Sequence, residues 1–398
     1  MTSTETRRTV NFEFDEEQER LRDSLRRYLA DRAPITDYLR AGYGTTRGKD
    51  GVWNGLAELG AVGVIGPVTH GGAGATFVDA AVVLEECGRA LYPGPVLASG
   101  IAAISVARTD VGEASDATLR ALCDGTRIGA VALFEPHVPA DWRAVTTVAD
   151  ERGGVPYLSG AKGYVLGAPD ADVFFVTARD PGGAVAWFVA ESAAPGIVVV
   201  PIDLVDGSRP CAHVNLDEVP ARRIGGEVGD AEVIIADVLD RMRVALVVDA
   251  VGAAARALEL TIAYAKDRFA FGSPIGSFQA IQHLCADMLR AVELARAASY
   301  YASWAVDAAP PAESHRAATM AAAFATGELA RVGESAIQVF GGIGFTWEHD
   351  VHLFFKRLLS ASALLGTADD HLMTLADLVF DVAQDSTTAR RTTSIPPA

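Results

Sequence analysis

Between residues 231 and 382, apolar side chains recur at helical spacing through four long stretches: 231–269, 278–307, 312–340 and 349–382. A helix with an apolar stripe of that length must bury it against other helices. Pro310-Pro311 separates the second stretch from the third, because two prolines cannot continue a helix, and Gly341-Gly342 ends the third. Short links make sequential helices antiparallel neighbours, so residues 226–384 are predicted to form a four-helix bundle. From Asp385 to Ala398 the chain turns to Ser, Thr, Arg and Pro and is expected to be disordered.

Upstream the period changes. Residues 126–225 carry short β-rich runs, at 173–177, 186–189, 197–200 and 212–215, with turns such as Asp180-Pro-Gly-Gly183 between them. They read as a small β-sandwich or barrel. Residues 11–125 are helical again. Asp15 followed by Gln18 is a capping box, and Leu21, Leu25, Tyr28 and Leu29 continue at helical spacing. Two more helices, near 53–59 and 78–87, are expected to end on the C-terminal caps Gly60 and Gly88. At 398 residues the chain exceeds one ordinary core. The expected fold is α+β: an N-terminal helical domain, a middle β domain and a C-terminal four-helix bundle.

Lys and Arg number 34 against 51 Asp and Glu, a net charge of -17. That surface repels a phosphate backbone, so no nucleic-acid partner is expected. Any anionic ligand would need arginine gathered locally. Cys87, Cys123, Cys211 and Cys285 form no C-x-x-C pair and read as reduced thiols of a cytoplasmic protein. The charged first twenty residues lack the apolar core of a signal peptide, and no apolar run is long enough to span a membrane. Glu348, His349, Asp350 and His352 mix helix faces, so no metal is expected; Glu85 and Glu86 point apart on a helix and read as solvated.

Two segments carry chemistry. In Arg268-Phe-Ala-Phe-Gly-Ser-Pro-Ile-Gly-Ser-Phe-Gln279 a helix ends, a Gly/Pro corner follows, and a new helix opens at Phe278-Gln279. An arginine beside a helix N-terminus suits a pyrophosphate, although an ordinary exposed corner has the same pattern. In Gln338-Val-Phe-Gly-Gly-Ile-Gly344, the glycines let a backbone approach a ligand, or simply turn the chain between helices. The two segments in this order resemble the acyl-CoA dehydrogenase family, as do Leu158-Ser-Gly-Ala-Lys-Gly-Tyr164, similar to its Gly-x-Lys turn, and the stretch 53–95. The resemblance covers residues 11–380. It implies FAD, with Arg268, Phe271, Gln279, Gln338, Gly341 and Gly342 reaching the cofactor of a neighbouring subunit and Thr367 near the flavin. It further implies an acyl-CoA or acyl-carrier thioester beside Asp240 and Arg243, an electron acceptor, and a homo- or hetero-oligomer.

The family removes an α-proton with a glutamate found at one of two positions. Here those positions hold Leu365 and Met242, neither of which can take a proton. Asp249, seven residues past Met242 on an otherwise apolar helix, is a candidate relocated base, since burial in apolar surroundings raises carboxylate basicity; a structural aspartate fits the same position. Two further explanations stand beside it. The chain resembles one half of the two-chain acyl-CoA dehydrogenases of actinobacteria, in which the other subunit supplies the base. It also fits a homo-oligomer with altered flavin chemistry.

Overall fold

The computed structural model describes residues 14–45, 48–108, 113–137, 141–225 and 230–391. Five helices come first: α1 (Glu16–Arg32), α2 (Gly51–Glu58), α3 (Phe77–Arg89), α4 (Val96–Ala107) and α5 (Glu113–Cys123). Eight strands follow: β1 (Gly129–Ala132), β2 (Val148–Arg152), β3 (Val155–Leu166), β4 (Val173–Arg179), β5 (Val185–Glu191), β6 (Ile197–Pro201), β7 (Cys211–Pro220) and β8 (Arg222–Ile224). The last part contains α6 (Asp230–Asp267), α7 (Gln279–Ala308), α8 (Pro311–Phe340), α9 (Val351–Ala361) and α10 (Ala368–Arg391). The order of helical, β and helical parts is the expected one.

Asp15 caps α1 as the sequence requires: its carboxylate accepts from the Glu17 and Gln18 amides while the Gln18 side chain accepts from the Asp15 amide. Gly60, at φ +76, ends α2. Gly88 does not end α3, which continues through Arg89. The glycine is needed because α6 crosses there so closely that a Cβ would lie 1.9 Å from the Asp249 carbonyl oxygen. Gly252 serves the same crossing, its absent Cβ 1.9 Å from the Glu85 carbonyl oxygen. Glu85 and Glu86 do point apart, but into protein rather than water. Glu86 is 2% exposed and accepts from Arg26 at 2.6 and 3.0 Å; Glu85 accepts from Tyr300 at 2.8 Å and Arg296 at 3.1 Å.

The strands form one sheet in the order β6-β7-β3-β2-β4-β5-β8, with β1 paired parallel to β4. Along β4 and β5 successive side chains alternate between two cores. Phe174, Val176, Ala186 and Phe188 enter the sheet's own core; Val173, Phe175, Trp187 and Val189 join the larger core shared with the helices. Both faces are therefore dry, which is why these strands read as continuous apolar runs. Leu158–Tyr164, expected as a turn, lies inside β3, which is bulged between Leu158 and Gly160 and between Lys162 and Val165.

The fourth helical stretch is two helices, α9 and α10, broken over residues 362–367, where Gly366 takes φ +109. Helix α10 continues to Arg391, past the point at which disorder is expected; residues 392–398 lie outside the described residues. The central α6 packs against α3, α7, α8 and α9. No described helix is long and apolar enough to cross a membrane.

Candidate active site

Helices α6 and α8 point the same way, so their C-terminal ends meet. There the Tyr264 and Phe340 rings stack 4.2 Å apart at 19°, bringing the Arg268 corner and the Gly341-Gly342 turn to one end of the bundle. The corner is not a plain turn. It is a small hairpin, β9 (Phe269–Ala270) with β10 (Ser273–Pro274), joined by Phe271-Gly272. Both joining residues have positive φ, +54 and +84, as a two-residue hairpin loop requires. For a phenylalanine that conformation is strained. Phe271 is also 96% exposed, with Phe278 as its ring partner at 6.3 Å, so among the described residues no burial offsets the strain.

Arg268, Gln279 and Gln338 are exposed, and Arg268 has no ion-pair partner among the described residues. A Cβ at Gly341 or Gly342 would meet nothing within 4 Å, and Gly341 has φ +63. Phe269, Phe345 and Trp347 add exposed aromatic surface nearby, at 65%, 67% and 51%. An uncommitted guanidinium, open glycine backbone and bare rings on one end of a bundle form a surface suited to a flat, anionic dinucleotide presented from outside the chain.

A cleft of about 850 Å³ opens at the other end of α6, bounded by Trp142 and Arg143 of the β domain, Asp307, His315, and the expected pair Asp240 and Arg243. Asp240 is 4% exposed and accepts from Arg243 at 3.1 Å, and His315 Nδ1 lies 2.9 Å from it. Burial lowers the Arg243 guanidinium's pKa against the pull of Asp240, and its Nε is buried with no hydrogen-bond partner. Arg243 also lines a second chamber of about 20 Å³ behind it, walled by Leu365, Gly366 and His371 and by apolar residues of α6, α8 and α9. A chamber of that size holds one water.

Leu365 and Met242 are both buried, at 5% and 6% exposure. Thr367 has its hydroxyl committed to capping α10, donating to Asp370 at 2.7 Å while the Asp370 amide returns a bond of 3.3 Å. Asp249 is buried at 4% exposure, but its expected apolar surroundings are a misreading. Arg209 donates to it, and Arg357 Nη1 donates to both carboxylate oxygens at 3.1 Å. Arg357 is also 2.9 Å from Asp206, giving a buried set of two aspartates and two arginines. Donors thus occupy both Asp249 oxygens.

His371 was missed by sequence reasoning. It is 3% exposed in the first turn of α10, lines the chamber beside Gly366, and has its amide bonded to the Thr367 carbonyl. Burial and the Arg243 charge push its pKa down to about 4. Its signal in the sequence is slight: one histidine four residues past a Gly-Thr pair. Lys162, noted only as part of a motif, is fully buried in the β domain and donates to Glu135 at 2.9 Å and Thr177 at 3.0 Å. Burial pushes its ammonium down to about 8. Of the residues weighed as metal ligands, Asp350 pairs with Arg40 and His349 accepts from the Val351 amide. No described group of three or more His, Cys, Asp and Glu side chains is placed to hold a metal.

Three family models match the chain: acyl-CoA dehydrogenase N-terminal domain over residues 15–125, middle domain over 130–219 and C-terminal domain over 232–380. The chain is 33% identical to the acyl-CoA dehydrogenase IpdE2 of Mycolicibacterium smegmatis, covering 92% of this chain and 100% of that protein. It is 34% identical to acyl-CoA dehydrogenase FadE34 of Mycobacterium tuberculosis, over 81% of this chain but 42% of that longer protein. Among solved structures, a chain of the Tcur3481-Tcur3483 steroid ACAD G363A variant superposes with a TM-score of 0.84 at 30% identity, covering 93% of this chain and 99% of that one. The FAD complex of PigA superposes with a TM-score of 0.84 at 25% identity, again over 93% and 99%.

Proposed function

This chain belongs to the acyl-CoA dehydrogenase family, and from that premise we propose that it is an FAD-dependent oxidoreductase subunit acting on an acyl thioester, working as an oligomer in the cytoplasm. The observation that carries the reading is the strained, 96% exposed Phe271 beside Arg268, which has no ion-pair partner among the described residues, and the open Gly341-Gly342 turn. This surface fits the ADP half of an FAD seated on a second chain. Arg268 would fork onto the pyrophosphate, the bare glycine backbone would let the dinucleotide lie close, and Phe271 would cover it. When bound, FAD supplies the redox centre, accepting a hydride from the acyl group. The cleft at Asp240, Arg243 and His315 is where the thioester, on CoA or on a carrier, would enter. Its arginines, Arg108, Arg143 and Arg243, stand among Asp141, Glu232, Asp237, Asp240 and Asp307, so an anionic carrier would have to meet these guanidiniums one by one rather than a positive field.

A second reading is favoured by one observation: both standard glutamate positions are aprotic and buried, and Asp249 is already engaged by two arginines. In that reading the chain completes the FAD site of a glutamate-bearing homologue, the electron acceptor being met by the assembled pair. The purified chain distinguishes the two. A yellow protein bleached by an acyl-CoA supports an enzyme complete in itself. A colourless chain that gains flavin only when mixed with such a homologue supports the partner role. A chain that binds flavin in neither form refutes both.

A further inference from the structure

The chamber behind Arg243 contains one side chain able to accept a proton. Leu365 and the apolar residues cannot; Arg243 stays protonated; Thr326 of α8 and Ser362, just past α9, do not titrate in the relevant range. His371 remains. Its ring lines the chamber beside Gly366, the residue next to Leu365, and makes no side-chain hydrogen bond among the described residues. Arg243 lines both this chamber and the large cleft, so the two spaces lie on either side of that residue. Its buried, unpartnered Nε–H is a donor without an acceptor, an arrangement costly enough to call for a ligand oxygen.

We propose that His371 is the catalytic base of this chain, taking the α-proton of the acyl thioester in place of the glutamate that Leu365 and Met242 do not provide. In this step the Cα–H bond breaks, the proton goes to the free imidazole nitrogen, and the electron pair moves into the thioester to give an enolate. Arg243 Nε–H is the donor for the developing oxyanion, with Asp240 and His315 steadying the guanidinium from the cleft side. No oxidant is needed for the proton transfer itself. The basicity suits the role: buried beside a cation, with Asp370 the other nearby charge, the imidazole is held at about 4, where the missing carboxylate would be.

The proposal rests on the thioester-binding reading above, and phenylacetyl-CoA separates the two. Its α-protons are activated and it has no β-hydrogen, so exchange in D2O reports proton transfer without any redox turnover. Calorimetry with the same compound reports binding. The wild-type chain should bind phenylacetyl-CoA and exchange its α-protons. His371→Gln should bind within about threefold and lose exchange about a hundredfold or more, the usual range for removing a general base. Leu365→Glu added to His371→Gln should recover exchange, distinguishing a lost base from a collapsed site. In the wild type, the exchange rate should fall as pH drops towards about 4. Exchange undiminished in a folded His371→Gln protein, or a wild type that binds without exchanging, overturns His371 as the base. A wild type that binds no acyl-CoA overturns the functional reading itself and the base with it.

Discussion

Replacing Asp249 tests whether that aspartate holds charge or moves protons. Around it lie Asp206, Arg209 and Arg357, with side chains 0%, 8% and 2% exposed. The four charges sum to zero. Asp249→Asn leaves two guanidiniums facing one carboxylate, a net positive charge deep in the protein. Breaking a buried pair by removing one partner costs about 3–5 kcal/mol. Asparagine keeps one acceptor oxygen for Arg357, so the lower end, about 3 kcal/mol, is expected. Against a typical total of about 5–15 kcal/mol, that is a large loss. Urea unfolding followed by circular dichroism should show the midpoint falling at an unchanged slope. A second change that removes the stranded cation, Arg209→Met, should recover part of the loss, with a coupling of about 0.5–3 kcal/mol. The reasoning fails if Asp249→Asn is as stable as wild type to within about 1 kcal/mol. It fails more instructively if the folded variant loses α-proton exchange while keeping its stability, because that result would make Asp249 the base.

Arg268→Ala should fold normally, since the side chain is exposed, yet retain about tenfold to a hundredfold less flavin by absorbance, as expected for losing a charge-assisted contact of about 1.5–3 kcal/mol. Gly88→Ala should lower the melting temperature despite alanine's better helix propensity, because its Cβ would collide with α6 backbone; a net loss of about 2 kcal/mol is expected. Lys162 ionises at about 8 when folded and 10.5 when free, so between those values the unfolded chain holds the extra proton and this residue's contribution to stability rises with pH. Lys162→Met should remove that rise from denaturation midpoints measured across the window, and an unchanged pH difference would refute the assignment.

The fold was largely legible because its signals are local. The period of the bundle, the capping box at Asp15 and Pro310-Pro311 each state their structure within a few residues. Gly88 shows where that reading stops. A glycine at the end of an apolar run looks like a cap, and only the position of α6 reveals a helix crossing. The break between α9 and α10 was hidden for the opposite reason: Leu364 and Leu365 continue the apolar pattern through a segment that is not helical.

The site was half legible, and the division follows sequence separation. The proposed cofactor surface is made of short runs whose glycine, arginine and exposed aromatic residues keep their meaning without tertiary contacts. The candidate proton-handling groups have meaning only in three dimensions. Asp249 looks isolated on α6, yet its two counter-charges come from 40 and 108 residues away. His371 has the converse history: an unremarked histidine in the chain, it becomes distinctive once α6 brings Arg243 beside it. A missing glutamate therefore cannot be judged from the positions where it is missing. The replacement must be sought among all groups that share the chamber. In this protein the carboxylate nearest in sequence has both oxygens engaged, and the imidazole of His371 is the group of the chamber able to take a proton.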